Sequence, residues 1–164
     1  MAILILIIIR KYKNKENIIL FDFDNKNIII IIITTMIYFI IIFSSLYLLI
    51  KNNIFYLDKY LFYIILVGVA EELFYRGLVY RLILLLNKDW KYKIFISIII
   101  CSLIFCLAHL PLFNDTLIEN LRAFVFPFLG GIIFNIVYIK SRNILVPIMV
   151  HNFFNTFYFT ALEL

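Results

Sequence analysis

The segment Ile28–Ile50 reads IIIIIITTMIYFIIIFSSLYLLI and carries no charged residue. An apolar run of this length matches the roughly 20 residues that a helix needs to cross the hydrocarbon core of a bilayer. Lipid offers no partner to a backbone N–H or C=O, so a spanning segment must satisfy them itself, as a helix does. The alternation of apolar and polar residues that marks a membrane β-strand is absent. Working outward from this segment, four more apolar runs follow: Leu61–Leu86, Ile94–Leu110, Ala123–Ile139 and Ile144–Leu162. The expected fold is all-α, a polytopic transmembrane bundle of about five spanning helices. Residues 1–164 form a single membrane domain, with 1–27 as a juxtamembrane N-terminal segment.

Composition agrees. The chain is 65% hydrophobic with a mean hydropathy of +1.06, whereas soluble domains are about half apolar. The net charge of +5 does not point to nucleic acid, because the cations lie between the apolar runs. Arg10, Lys11, Lys13, Lys15 and Lys26 precede the first run, and Lys51 and Lys59 follow it. Lys88, Lys91 and Lys93 follow the second, Arg122 the third, and Lys140 and Arg142 the fourth. Heavily and lightly charged connections alternate. The positive-inside rule then predicts a multi-pass cell-membrane protein with a cytoplasmic N-terminus and an external C-terminus. Trp90 and Tyr92 suit an interfacial belt.

Smaller features fit the same frame. The N-terminus places its apolar run, Ile3–Ile9, before its basic residues, the reverse of a signal peptide. That run is too short to span. It lies at the interface or is the end of a helix from a longer ancestral chain. Pro111 is expected to end the third helix, and Pro127 with Gly130 and Gly131 to kink the fourth. Pro147 removes a backbone donor one turn before His151. The stretch FDFDN, Phe21–Asn25, lacks the glycine and distant glutamate of a calcium loop and reads as a solvated turn. Cys101 and Cys106 fit neither a zinc pattern nor a disulfide and read as small buried hydrophobes.

Ionisable side chains inside spans are costly, at roughly 3 kcal/mol each on insertion scales, and need a reason. The second run carries Glu71, Glu72 and Arg76 within VGVAEELFYRGLVY, Val67–Tyr80. Glu72 and Arg76 stand at i and i+4 and are expected to form a structural ion pair. Glu71 is turned about 100° away on an α-helix. It has no partner on its own helix, which marks it as a functional carboxylate. The third run ends IFCLAHLP, with Phe105 and His109 at i and i+4. The fifth holds PIMVHNFFNTF, with His151 and Asn155 on one side and Asn152 on another. Taken singly, each histidine or amide has an ordinary structural reading as an interfacial residue or an interhelical hydrogen bond. Together a carboxylate, two imidazoles and an amide supply a base, a proton relay and neutral donors for an oxyanion. Two imidazoles and a carboxylate, here His109, His151 and Glu71, also have the chemistry of a zinc site. No serine or cysteine is placed with a histidine as a covalent nucleophile.

In this order the motifs EELFYR, FCLAH and HNFFN resemble those of the CAAX-protease and bacteriocin-processing family (CPBP, or Abi). That family includes the type II CAAX prenyl endopeptidases. The segment FLGGIIFNIVYIKSRNILVPIMVH leads into the last motif as it often does in the family, and the resemblant core is 61–158. The resemblance implies an intramembrane glutamic endopeptidase acting on a membrane-associated peptide of CAAX, bacteriocin or leader type. Glu71 would activate water with His109, and His151 with Asn155 would hold the oxyanion. Glu72, Arg76 and Phe105 would support the site. No cofactor is expected, unless the family's metalloprotease description applies and Glu71, His109 and His151 hold zinc. The partners expected are membrane lipid and the peptide substrate, with no nucleic acid. The rival classes are a zinc-dependent hydrolase, a non-catalytic bacteriocin self-immunity protein and a small proton-coupled transporter. Two features depart from the family. The chain is short beside members with extra helices, which raises the expectation that a substrate-binding part is missing. By the lysine topology, Glu71 and His151 also fall near mid-membrane and His109 near the outer end of its helix.

Overall fold

The computed structural model describes residues 21, 23–52, 62–86, 91–109 and 116–163. The run Ile3–Ile9, the basic residues 10–15, Lys59, Lys88, Trp90 and the Leu110–Pro111 break lie outside the described residues. All five apolar runs contain helix. In chain order the helices are α1 (Asn25–Lys51), α2 (Gly68–Phe74), α3 (Tyr80–Leu86), α4 (Lys93–His109), α5 (Leu117–Ser141) and α6 (Leu145–Glu163). Among the described residues the only extended pairing is an isolated bridge between Phe21 and Asn143. Two helices, Asn27–Lys51 and Leu117–Ser141, are long and apolar enough to cross a membrane by length and composition.

The second apolar run departs from the uniform α-helix assumed in the i, i+4 arithmetic. Two π-helical turns, Phe62–Val67 and Tyr75–Val79, flank α2. In the second of them the Tyr80 N–H reaches back to the Tyr75 carbonyl. A π turn accommodates one more residue per turn than its neighbours and re-aims the side chains after it. Arg76 lies inside that turn.

The described residues belong to two compact units. One consists of Leu20–Leu73 with Ser141–Leu164. Its FDFDN stretch is more than a solvated turn, because the Asp24 carboxylate caps α1 by accepting from the Asn27 N–H at 2.7 Å. Within α1 the hydroxyls of Thr34, Thr35 and Ser44 bond carbonyls four residues back. This satisfies them without a solvent partner. Helix α6 packs along α1 through a polar seam. Ser45 bonds Thr160, whose hydroxyl shares the Thr156 carbonyl at 2.7 Å, and Thr156 in turn donates to the Asn152 carbonyl at 2.7 Å. The Thr35 hydroxyl meets the Met149 sulfur at 3.0 Å. Such hydroxyl contacts hold helices together where the hydrophobic effect gives no preference between helix and lipid. The turn into α6 is set by Arg142, at a φ of 51°, and by Asn143, whose Oδ1 accepts from the Leu145 N–H at 3.0 Å.

The other unit consists of Phe74–Lys140, together with Met1–Ile19 outside the described residues. Here α3 packs on α4, and α4 meets α5 at Gly131. A Cβ at Gly131 would lie 3.0 Å from both Cα and Cβ of Ser102, so the absent side chain is what allows the approach. Asn135, one turn on, donates to the Gly131 carbonyl at 2.9 Å and to the Ser102 hydroxyl at 3.3 Å. The helix α5 runs through Pro127 without interruption. Cys101 and Cys106 are free and fully buried, as small hydrophobes would be. Their thiols point at the carbonyls of Tyr75 and Phe124.

Candidate active site

Each unit holds part of the motif set. In the first, α2 and α6 bring Glu71, Glu72 and His151 together. The His151 Nδ1 donates to Oε1 of Glu72 at 2.7 Å, and its Nε2 lies 3.6 Å from Oε2 of Glu71. The imidazole therefore stands between two adjacent carboxylates, one at each ring nitrogen. Glu72 is 0% exposed and His151 5% exposed. The Glu71 side chain retains 26% of its accessible surface, so it is the more exposed of the two acids. The 2.7 Å bond is a charge-assisted one at close range. It fixes the proton on Nδ1 and presents Nε2 toward Glu71. As a neutral ring Nε2 accepts a proton there, and as an imidazolium it donates one. At 3.6 Å the Glu71 contact is longer than a direct hydrogen bond.

Asn155 lies one turn after His151 on α6 and is partly exposed. Their i, i+4 spacing puts them on one side of the helix, in line with the sequence reading. Asn152 is buried at the contact with the glutamate helix.

In the second unit Arg76, Phe105 and His109 form a stack. The Arg76 guanidinium is fully buried. It lies 4.9 Å from the Phe105 ring centroid and 5.2 Å from that of Phe134, and donates to the Gly131 carbonyl at 3.1 Å. The Tyr75 ring centroid lies 5.9 Å away, and a desolvated guanidinium over three rings gains from the quadrupole of each. The His109 ring also lies against Phe105, tilted at 36° with centroids 4.4 Å apart. The His109 Nδ1 bonds the Phe105 carbonyl at 2.8 Å. A carbonyl only accepts, so Nδ1 carries the proton and Nε2 is the acceptor nitrogen of the neutral ring. His109 is exposed. The phenylalanine four residues before a histidine thus has a double part, since its ring and its carbonyl both orient the imidazole.

The sequence reading gave Glu72 an ion-pair partner in Arg76. The structure adds His151 as a partner of Glu72, and a carbonyl and three rings as partners of Arg76. Among the described residues no group of three or more His, Cys, Asp and Glu side chains forms a metal-holding cluster. Three features escaped the motif reading. Arg81 is buried and its Nε donates to the Tyr138 hydroxyl at 3.0 Å. Its presence in an apolar run was the available signal. Gly68 lies one turn before Glu72 and is buried against Asn152, and a glycine inside a helix was the signal there. Asn152 itself reads as an ordinary interhelical amide.

Comparison with known families gives one match. The family described as Rce1-like, type II CAAX prenyl endopeptidase Rce1-like, matches residues 52–157. Comparison with curated proteins and with solved structures gives no significant match.

Proposed function

The chain belongs to the Rce1-like family of type II CAAX prenyl endopeptidases, a family of membrane-embedded proteases, and from that premise we propose that it is a multi-pass intramembrane glutamic endopeptidase. The observation that carries this reading is the buried His151 held between Glu71 and Glu72. Glu71 is the base. It takes a proton from a water, and the resulting hydroxide attacks the carbonyl carbon of the scissile peptide bond. His109, with its acceptor Nε2, positions that water. The negative charge that develops on the carbonyl oxygen is met by the Asn155 amide and by His151 as the imidazolium, whose Nε2–H is the donor left once Nδ1 is bonded to Glu72. Collapse of the tetrahedral intermediate breaks the C–N bond, and the proton held by Glu71 passes to the leaving amine. Glu72 holds His151 in one orientation, and Arg76 with Phe105 holds His109. The substrate proposed is a membrane-associated peptide of the CAAX, bacteriocin or leader type.

The deciding experiment presents the purified protein and its Glu71→Gln variant with a prenylated CAAX-type peptide mixed with a membrane-peptide library. Cleavage by the wild type alone supports the reading. Equal cleavage by both removes Glu71 from the chemistry. Folded protein that cleaves nothing favours a binding-only immunity protein. Turnover abolished by a chelator and restored by zinc would reassign Glu71, His109 and His151 as metal ligands.

A further inference from the structure

Asn152 directly follows His151 and is only 3% exposed. Its Nδ2 donates to the Ile65 carbonyl at 3.4 Å, within the π-helical turn that precedes α2. Its Oδ1 has no hydrogen-bond partner among the described residues. A buried amide oxygen without a partner is costly, so the residue is not placed there for the sake of its own hydrogen bonds. Facing it is Gly68. A Cβ at that position would lie 1.8 Å from the Asn152 Oδ1 and 2.8 Å from its Cγ. The Asn152 side chain therefore occupies the space that any other residue at position 68 would fill.

The spacing on the two helices matches. Gly68 and Glu72 stand one turn apart on α2, and Asn152 and His151 are neighbours on α6. The second apolar run and α6 thus meet at the Asn152 wedge against Gly68 and Ile65, and at the imidazole beside Glu71 and Glu72. We propose that Asn152 is a positioning residue for His151. Its side chain, driven into the notch at Gly68, sets the depth and rotation of α6 so that the imidazole falls between the two carboxylates. The catalytic part of the proposal rests on the reading of His151 as an oxyanion donor. The geometric part does not.

The test uses the full chain in micelles, labelled with 15N-histidine. The chain has two histidines, so His109→Gln assigns the His151 signals. In Asn152→Ala the His151 ring signals are expected to shift from their wild-type positions while those of His109 stay in place. Gly68→Ala, which pushes on the same wedge from the other side, is expected to move the same signals. Ser45→Ala breaks a hydroxyl contact elsewhere on α6 and is expected to leave them unmoved, which separates positioning from general loosening. If Asn152→Ala gives no folded protein, Asn152→Ser is read in the same way. Folded Asn152 variants with unshifted His151 signals would overturn the proposal, as would equal shifts in Ser45→Ala. In the cleavage assay Asn152→Ala is expected to lose about 100-fold in kcat at little change in KM, as displaced catalytic groups do. Shifted His151 signals with undiminished cleavage would uphold the positioning and remove His151 from the protease mechanism instead.

Discussion

His151 Nδ1 stands 2.7 Å from Glu72 Oε1, and this bond joins two helices whose contacting residues lie 79 positions apart in the chain. It converts a carboxylate that would be costly inside an apolar bundle into half of a hydrogen-bonded pair. Breaking one side of a buried pair leaves the other charged group stranded, at a cost of about 3–5 kcal/mol. Glu72→Ala is therefore expected to lower the yield of folded protein sharply. Glu72→Gln keeps an acceptor for Nδ1 and is expected to fold better than Glu72→Ala. Thermal unfolding in detergent, compared across the two variants, checks the order.

Glu71 is predicted to behave in the opposite way. It is part-exposed and only 3.6 Å from the imidazole, so Glu71→Gln is expected to fold as the wild type does. Its cleavage rate is expected to fall by about 10²–10⁴-fold, the usual worth of a general base. A melting curve and a turnover assay on one preparation decide it.

Phe105 touches both Arg76 and His109. Phe105→Leu keeps much of the apolar volume but removes the ring face from the guanidinium and the stack from the imidazole. Desolvated cation–π contacts are worth about 2 kcal/mol, so a stability loss of that order is expected, together with slower cleavage. Phe134→Leu also removes a ring from Arg76 but leaves in place the Phe105 ring that lies against His109, and by this reasoning costs stability with a smaller effect on rate. Unfolding and kcat measured for both variants separate the two roles.

The adjacent glycines of α5 are expected to differ. A Cβ at Gly131 meets Ser102 main chain and side chain at 3.0 Å, whereas at Gly130 the nearest atom is the Phe134 ring at 3.7 Å. Gly131→Ala must push α4 and α5 apart and is expected to cost about 1–3 kcal/mol. Gly130→Ala meets ordinary contact and gains helix propensity, about 1 kcal/mol in favour of alanine. Paired unfolding curves, with Gly131→Ala melting below and Gly130→Ala at or above the wild type, are the check.

Much of this was legible in the residues. The apolar runs mark where helices form, because in lipid a long apolar segment has little other choice. The acids and histidines stand out because each is expensive where it sits. What the spacing of one helix cannot give is how it meets another. The i, i+4 rule pairs Glu72 with Arg76 on an ideal α-helix, but a π turn begins at Tyr75, and the partners of both side chains on other helices depend on approach distances. Those distances are set by glycines and by a wedge-shaped amide, whose roles appear only when the opposing backbone is known. Asp24 as a helix cap illustrates the same point on a smaller scale: its carboxylate is read correctly only once the helix start is fixed at Asn25.

The seam between α1 and α6 has a consequence for biosynthesis. Ser45 and Thr160 are 115 positions apart, so the first helix of that unit waits for the last one to be made. Until α6 has left the ribosome, Ser45 has no Thr160 and Glu72 has no His151 to meet. Order in this unit is therefore completed by α6. Nascent chains arrested before Leu145 are expected to be the ones that membrane quality control removes, and pulse–chase lifetimes of chains stalled before and after α6 would show it.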